Sequence, residues 1–392
     1  MRLRHPDGSV VHLSYGSNVH PAESVDGIVE QLRHYGGGVR AALDADLLGV
    51  GLWLPATAAH ELAVDPAALE RVRRVLHLHR LEIVTVNAFP FEGFHDPVVK
   101  RAVYRPDWSV RARLDYTLDC ARVLAMLLPD DAARGSISTL PLGWRSPWYA
   151  DRDATAHEHL DQLVDGLASI ELEVGRMVRV GLEPEPGCVI GCVADAVDRL
   201  AGLDSTASGY LGVCLDTCHL ATEFEEGPEA IDRLREAGLT VVKAQASAAL
   251  HADLPSDPAT RTALSGYAED RFLHQVREVR GARTQHRDDL GMALEGDRPL
   301  PGQQPWRVHF HVPLHADPQP PLTSTRDHLL ASLGGLVGAT EPATDHVEVE
   351  TYTWGVLPPD LRPRDDAGLI TGIAAEVSWV RDRLLDLGLE AA

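Results

Sequence analysis

Between Val178 and Leu220 the chain reads VRVGLEPEPGCVIGC, then a helical segment, then LGVCLDTCHL. Two short apolar runs each end in acid: Glu183 and Glu185 on the first, Asp216 on the second, with His219 closely following. The runs stand one strand–helix unit apart, about the 30 residues that a βαβ crossover needs. As parallel neighbours they would bring their carboxylates out at one edge of a sheet. Parallel strands are covered on both faces and read as unbroken apolar runs. Acid at their carboxyl ends therefore calls for a cause, and that edge is where barrels and open α/β sheets bind ligands.

The rest of the chain repeats the unit. Strand-like runs at HLSYGSNVH (12–20), LLGVGLWLPA (47–56), LEIVTVNAFPF (81–91) and GSISTLPLGW (135–144) precede the central pair, and TVVKAQASA (240–248) and HVEVETYTW (346–354) follow it. Amphipathic helices are expected near 22–43, after the N-cap and N1 pair Asp65–Pro66, and over 109–128, 155–176, 193–203, 228–237, 325–338 and 367–388. Eight such pairs predict a closed (β/α)8 barrel, one domain over residues 1–392. An open doubly wound sheet would want a G-x-G-x-x-G turn, and none follows the first strand.

The alternation breaks once. Residues 249–322 carry one helix-like segment, AEDRFLHQVREVR, a Pro/Gly-rich run and WRVHFHVPLH. This insertion joins strand seven to its own helix and so lies on the ligand-binding face. Connections beyond about 12–15 residues are mostly lids or disordered, and its aromatic and histidine content favours a lid.

A formal charge of −22 with no basic block excludes an extended phosphate backbone as partner. No run approaches the roughly 18 apolar residues of a membrane span, and MRLRHPDGSVVHL lacks the apolar core of a signal peptide. A cytoplasmic protein is expected. Five cysteines (Cys120, Cys188, Cys192, Cys214, Cys218) argue against a disulfide framework. Their C-x3-C spacing fits a zinc cluster poorly, which leaves buried apolar filling as their role.

The strand ends offer Asn18 and His20, Trp53, Asn87, Trp144, Glu183 with Glu185, Asp216 with His219, Lys243 with Gln245, and Glu350; the insertion adds His309, His311 and His315. Carboxylates crowded at one barrel mouth repel unless protonated or neutralised by a cation. A divalent metal does this directly, and carboxylate, amide and imidazole ligands suit Mn²⁺, Mg²⁺, Fe²⁺ or Zn²⁺. The candidate ligands are Glu183, Asp216, Gln245, His311 and Glu350. His20, Trp53, Asn87, Trp144, Glu185, His219, Lys243 and His309 are candidate substrate contacts. Each candidate also has a structural reading. Glu183 and Asp216 could be ion-paired wall acids, Glu350 could pair with an arginine of the final helix, and the insertion histidines could be polar groups of a lid. The tryptophans could be wall packing, although aromatic rings at a mouth also suit a sugar.

LEPEP, CLDTCH and VEVETYTW resemble the xylose isomerase-like barrel superfamily, which includes sugar isomerases and epimerases and endonuclease IV. In its epimerases, Glu, Asp, His and Glu from strands five to eight hold the metal. The resemblance puts Glu183, Asp216 and Glu350 on three of those positions, and His219 on that of a substrate-contacting or second-metal histidine. Gln245 stands where the superfamily usually has His, and HFH around His309 and His311 occupies a place comparable to a D-x-H pair of endonuclease IV. More narrowly, VNAFPFEGFH, SISTLPLGW, KAQASAAL and WRVHFHVPLH are similar to the EboE family, described as metabolite traffic proteins. That family lies beside a UbiA-type prenyltransferase, a TatD-like hydrolase and a sugar-phosphate cyclase, which implies a cyclitol or sugar-derived substrate, phosphorylated or not, in secondary metabolism.

The expectation is thus a metal-dependent isomerase or epimerase of a sugar or cyclitol, with Glu183 and Glu350 moving the proton and His219 assisting. Two alternatives stay open. One is a carrier that binds a cyclitol without turnover; the other is a metal-dependent phosphoester hydrolase of endonuclease IV type. The oligomeric state is open too.

Overall fold

In a computed structural model, which describes residues 1–207, 209–281 and 283–392, eight parallel strands close on themselves. They are β1 (Val10–Gly16), β2 (Leu48–Trp53), β3 (Leu81–Ala88), β4 (Gly135–Thr139), β5 (Val178–Leu182), β6 (Leu211–Asp216), β7 (Val241–Ala246) and β8 (His346–Val349). Each pairs with the next, and β8 pairs back onto β1 with Val347 opposite Leu13. Val10 apart, every residue of these strands is buried. That is the burial expected of parallel strands covered by helices. The (β/α)8 barrel read from the sequence is the observed fold.

Local chemistry sets the helix boundaries. Asp65 caps Pro66–His79 by accepting from the Ala67 amide, and Asp365 caps Asp366–Asp386 through the Gly368 amide. The long first helix expected over 22–43 is broken. Val25–Gln31 runs into a π turn at Leu32–Gly36 before Gly37–Ala42 resumes. The run Gly36–Gly38 sits there because a Cβ at those positions would press on Leu81, His79 and Ile370.

The insertion is a sheet of its own. Ala249–Ala252, Val276–Arg280, Arg283–Arg287, Trp306–His311 and Thr323–Ser324 form five antiparallel strands, with short helices at Pro258–Ser265 and Leu290–Glu295. The helix expected in AEDRFLHQVREVR is therefore corrected: its second half is extended. Tertiary partners decide this against a helical apolar spacing. Buried Glu278 accepts from Trp306 Nε1 (2.8 Å) and from the Gly302 and Gln303 amides, while Arg277 meets Glu223 at 2.6 Å.

At the amino-terminal end of the barrel, buried and half-buried charges come in pairs. Glu82 accepts from Arg2 Nε and Nη2 at 3.0 and 2.7 Å, and Asp345 takes Arg134 at 2.6 Å and Arg179 at 2.8 Å. Inside the barrel Lys243 and Glu348 form a fully buried pair at 3.2 Å. Gly51 makes room for it, since a Cβ there would lie 1.6 Å from Glu348 Oε2. All five thiols are free; four are buried and Cys192 is half-buried. Among the described residues, no helix is long and apolar enough to cross a membrane.

Candidate metal centre

The carboxyl ends of β5, β6 and β8 bring Glu183, Asp216 and Glu350 together, with one oxygen of each within 4.8 Å of the others. Asp216 ends β6 and caps the short helix Thr217–Thr222. Its Oδ1 accepts from the His219 amide (2.9 Å) and Ser247 Oγ (2.8 Å), and Oδ2 has no partner. Glu183 Oε2 is likewise buried without a partner. Glu350 Oε1 accepts from two amides, Asn18 Nδ2 at 2.9 Å and Asn87 Nδ2 at 2.8 Å. The arginine pairing considered for Glu350 does not form. The final helix presents Glu376 there, which holds Thr351 Oγ1 at 2.7 Å and Trp354 Nε1 at 2.9 Å.

Three imidazoles converge on the same place. His219 Nδ1 donates to the Pro184 carbonyl (2.9 Å), His309 Nδ1 to Gln275 Oε1 (2.7 Å) and His311 Nδ1 to the Glu350 carbonyl (2.7 Å). Each acceptor fixes the proton on Nδ1, so each ring turns a bare Nε2 inward. His309 Nε2 lies 3.0 Å from His219 Nε2 and 3.3 Å from His311 Nε2. Lone pairs facing one another at hydrogen-bond distance repel unless a proton or a cation stands among them. A further candidate grouping places Cys218 with His309 and His311.

Electrostatics point the same way. Burial, with Asp216 adding, pushes Glu183 well above the usual carboxylate range; burial and Glu183 do the same to Glu350. Burial also acts against the Asp216 charge, but beside His219 and His311 the hydrogen bonds it accepts from the His219 amide and Ser247 Oγ help hold that carboxyl low. Burial lowers His219 to about 4 and takes His309 well below its ordinary value, which keeps both rings neutral. A cluster of carboxyls forced to share protons, neutral imidazoles aimed inward and orphaned oxygens together fit a divalent cation. Gln245 stands beside this set. Both polar atoms of its buried amide lack partners, and it stands level with Asp216 in the β6–β7 register.

The other sequence candidates divide. Glu185 and His309 line the cavity above the centre together with Asn87 and His219. Glu185 accepts from Tyr104 Oη at 2.5 Å, and burial raises it to about 8. Lys243 lies beneath the centre, paired with Glu348, and does not line the cavity. His20 stacks on Tyr35 at 4.1 Å and is likewise outside the lining. Trp53 donates to the Pro90 carbonyl and backs Phe94, with ring centroids 5.9 Å apart. Trp144 backs Tyr104 at 4.8 Å. These two tryptophans shape the walls through other rings. Sequence reasoning missed Tyr104 and Gln275, which tie Glu185 to His309 (Gln275 Nε2 to Tyr104 Oη, 3.0 Å). Gln275 lies in the segment whose apolar spacing reads as helix, which hides it.

Residues 39–264 match the family described as xylose isomerase-like TIM barrel. The chain belongs to that family. No curated protein matches it. Among solved structures, a candidate sugar phosphate isomerase/epimerase from Anabaena variabilis superposes with a TM-score of 0.51 at 15% identity, covering 97% of this chain and 100% of that one. D-allulose 3-epimerase from Methylomonas sp. gives 0.48 at 12% identity, with 95% and 98% covered. The IolI protein with a bound zinc gives 0.47 at 11%, with 96% and 99% covered. At such identities the likeness concerns the fold.

Proposed function

We propose that this barrel is a divalent-metal-dependent isomerase or epimerase of a keto-sugar or cyclitol, acting in the secondary metabolism that the EboE resemblance implies. The observation that carries the reading is the buried trio Glu183, Asp216 and Glu350, with unpartnered oxygens and three inward-facing imidazole nitrogens beside it. Glu183, Asp216, Glu350 and Gln245 would hold the ion, with His311 Nε2 4.0 Å from Asp216 Oδ2 and His219 Nε2 3.9 Å from Asp216 Oδ1 as the neighbouring imidazoles. When bound, such an ion polarises a carbonyl and its neighbouring hydroxyl and so acidifies the C–H between them.

The chain's own groups do the rest. Glu183 and Glu350 both have raised proton affinity, so one carboxylate can take a proton from carbon and the other can return one. Asn18 and Asn87 hold Glu350 Oε1 in place, and Asp216, kept ionised, anchors the ion. Glu185, fixed by Tyr104, would receive a substrate hydroxyl. Buried aromatic walls keep water from the exposed carbanion equivalent.

The test is deuterium incorporation next to the carbonyl, with metal-loaded protein in D2O and a panel of ketoses and inososes. Exchange that vanishes in Glu350→Gln supports the reading. Full metal occupancy with tight binding and no exchange would favour the carrier. The His219–His309–His311 cluster favours one further alternative, a second ion and phosphoester hydrolysis; two metals per chain with phosphate release would establish it instead.

A further inference from the structure

Above the polar floor the cavity changes character. It opens to solvent, and its upper wall is built from Phe89, Phe94, Val99, Val103, Phe272 and Leu273. Three rings from separate parts of the chain meet there. Phe94 lies 5.1 Å from Phe272 and 5.4 Å from Tyr352, and Phe272 lies 5.0 Å from Tyr352. Phe94 follows β3, Phe272 belongs to the insertion and Tyr352 follows β8. Three segments of the chain thus converge to make one apolar collar, and its rings offer no hydrogen bond to a sugar hydroxyl beyond that of Tyr352.

Cationic charge is turned away from this space. Among the described residues that line it, Lys100 alone carries a permanent positive charge. Its ammonium donates to the Glu269 and Phe272 carbonyls (2.8 Å each) and to Asp289 (2.7 Å), which uses all three of its protons. Arg101 and Arg145, near the rim, both pair with Asp288 at 2.8 and 2.5 Å. A phosphate carried above the metal centre would meet carbon and no free cation.

We infer that the substrate is amphipathic: a polyol or keto-sugar head that sits on the metal centre, carrying an unphosphorylated aryl or short alkyl substituent in the Phe89–Phe94–Phe272 sleeve. The inference rests on the metal-centre reading above and narrows its substrate class. Burying one phenyl-sized group in such a wall strengthens binding by roughly 30-fold or more, at about 25 cal/mol per Å² of apolar surface.

Calorimetric titration of the metal-loaded protein with myo-inositol, its mono-O-benzyl ether and its monophosphate tests this. The expected result is the ether bound about 30-fold tighter than inositol and the phosphate bound weaker. In Phe272→Ala and, independently, Val103→Asp, the ether-to-inositol affinity ratio should fall toward one. Inositol bound by the wild type with no gain from the benzyl group, or a gain from phosphate, overturns the sleeve and leaves the metal-centre reading standing. Full metal occupancy with none of the three bound overturns both.

Discussion

The two ends of the barrel bury acid in opposite ways. At the amino-terminal end Glu82 and Asp345 have arginine partners, and although burial opposes their charge, His12 and Arg2 for the first and His346, Arg179 and Arg134 for the second hold each carboxyl down at about 2. At the carboxyl end Glu183 and Glu350 have no cation in contact, and burial pushes both up. One chain thus shows what it does with a buried acid that serves the fold: it supplies the counter-charge itself. At the mouth, among the described residues, the chain supplies no such partner to Glu183 or Glu350.

The contrast can be broken most forcefully by removing the mouth's acid. Glu183→Gln/Asp216→Asn should cut divalent metal affinity by more than about 1000-fold, read by elemental analysis and competition titration. The metal-free double variant should be more stable than the metal-free wild type by about 1–2 kcal/mol, because a repulsion has been deleted. Equal metal content would end the comparison. The reverse is expected below: Asp345→Ala strands the buried Arg179 guanidinium and should cost about 3 kcal/mol in chemical denaturation, with metal binding retained.

pH separates the two ends next. Glu82 and Asp345 titrate in the folded chain below their ordinary values of 4.5 and 3.8, so their contribution is present above those values and is lost as pH falls toward 2. Glu185 and Glu376, raised by burial to about 8 and about 7, behave oppositely. Their contribution is present below about 4.5 and is lost as pH rises through 7 to 8. Metal-free protein should therefore melt about 5 °C lower at pH 8 than at pH 5, and saturating metal should flatten that slope. The smallest effect is a gain: Gln245→His should tighten metal binding by about 10-fold, since an imidazole replaces a neutral amide oxygen.

Much of this was legible in the chain. Unbroken apolar runs ending in acid pointed to both the closed barrel and the trio at its mouth, because a strand buried on two faces gains nothing structural from an unpaired Glu183, Asp216 or Glu350 at its end. Asp65–Pro66 marked its helix by cap chemistry alone. What escaped was whatever depends on distant partners. Nothing local in HQVREVR says that Glu278 will be held by Trp306, so its strand was invisible, and Gln275 with it. His20, Trp53, Trp144 and Lys243 sit near strand ends, but only packing decides which side chains turn into the cavity and which stand behind another ring.

The inserted sheet has a consequence for how the centre comes into being. Barrel strands contribute its carboxylates, whereas His309 and His311 arrive from Trp306–His311, ahead of the last strand and Glu350. No contiguous stretch owns the site. An emerging chain therefore passes through a stage in which acid and imidazole are both made yet unassembled, and an ion captured there would be a chemical signature that insertion and barrel have docked.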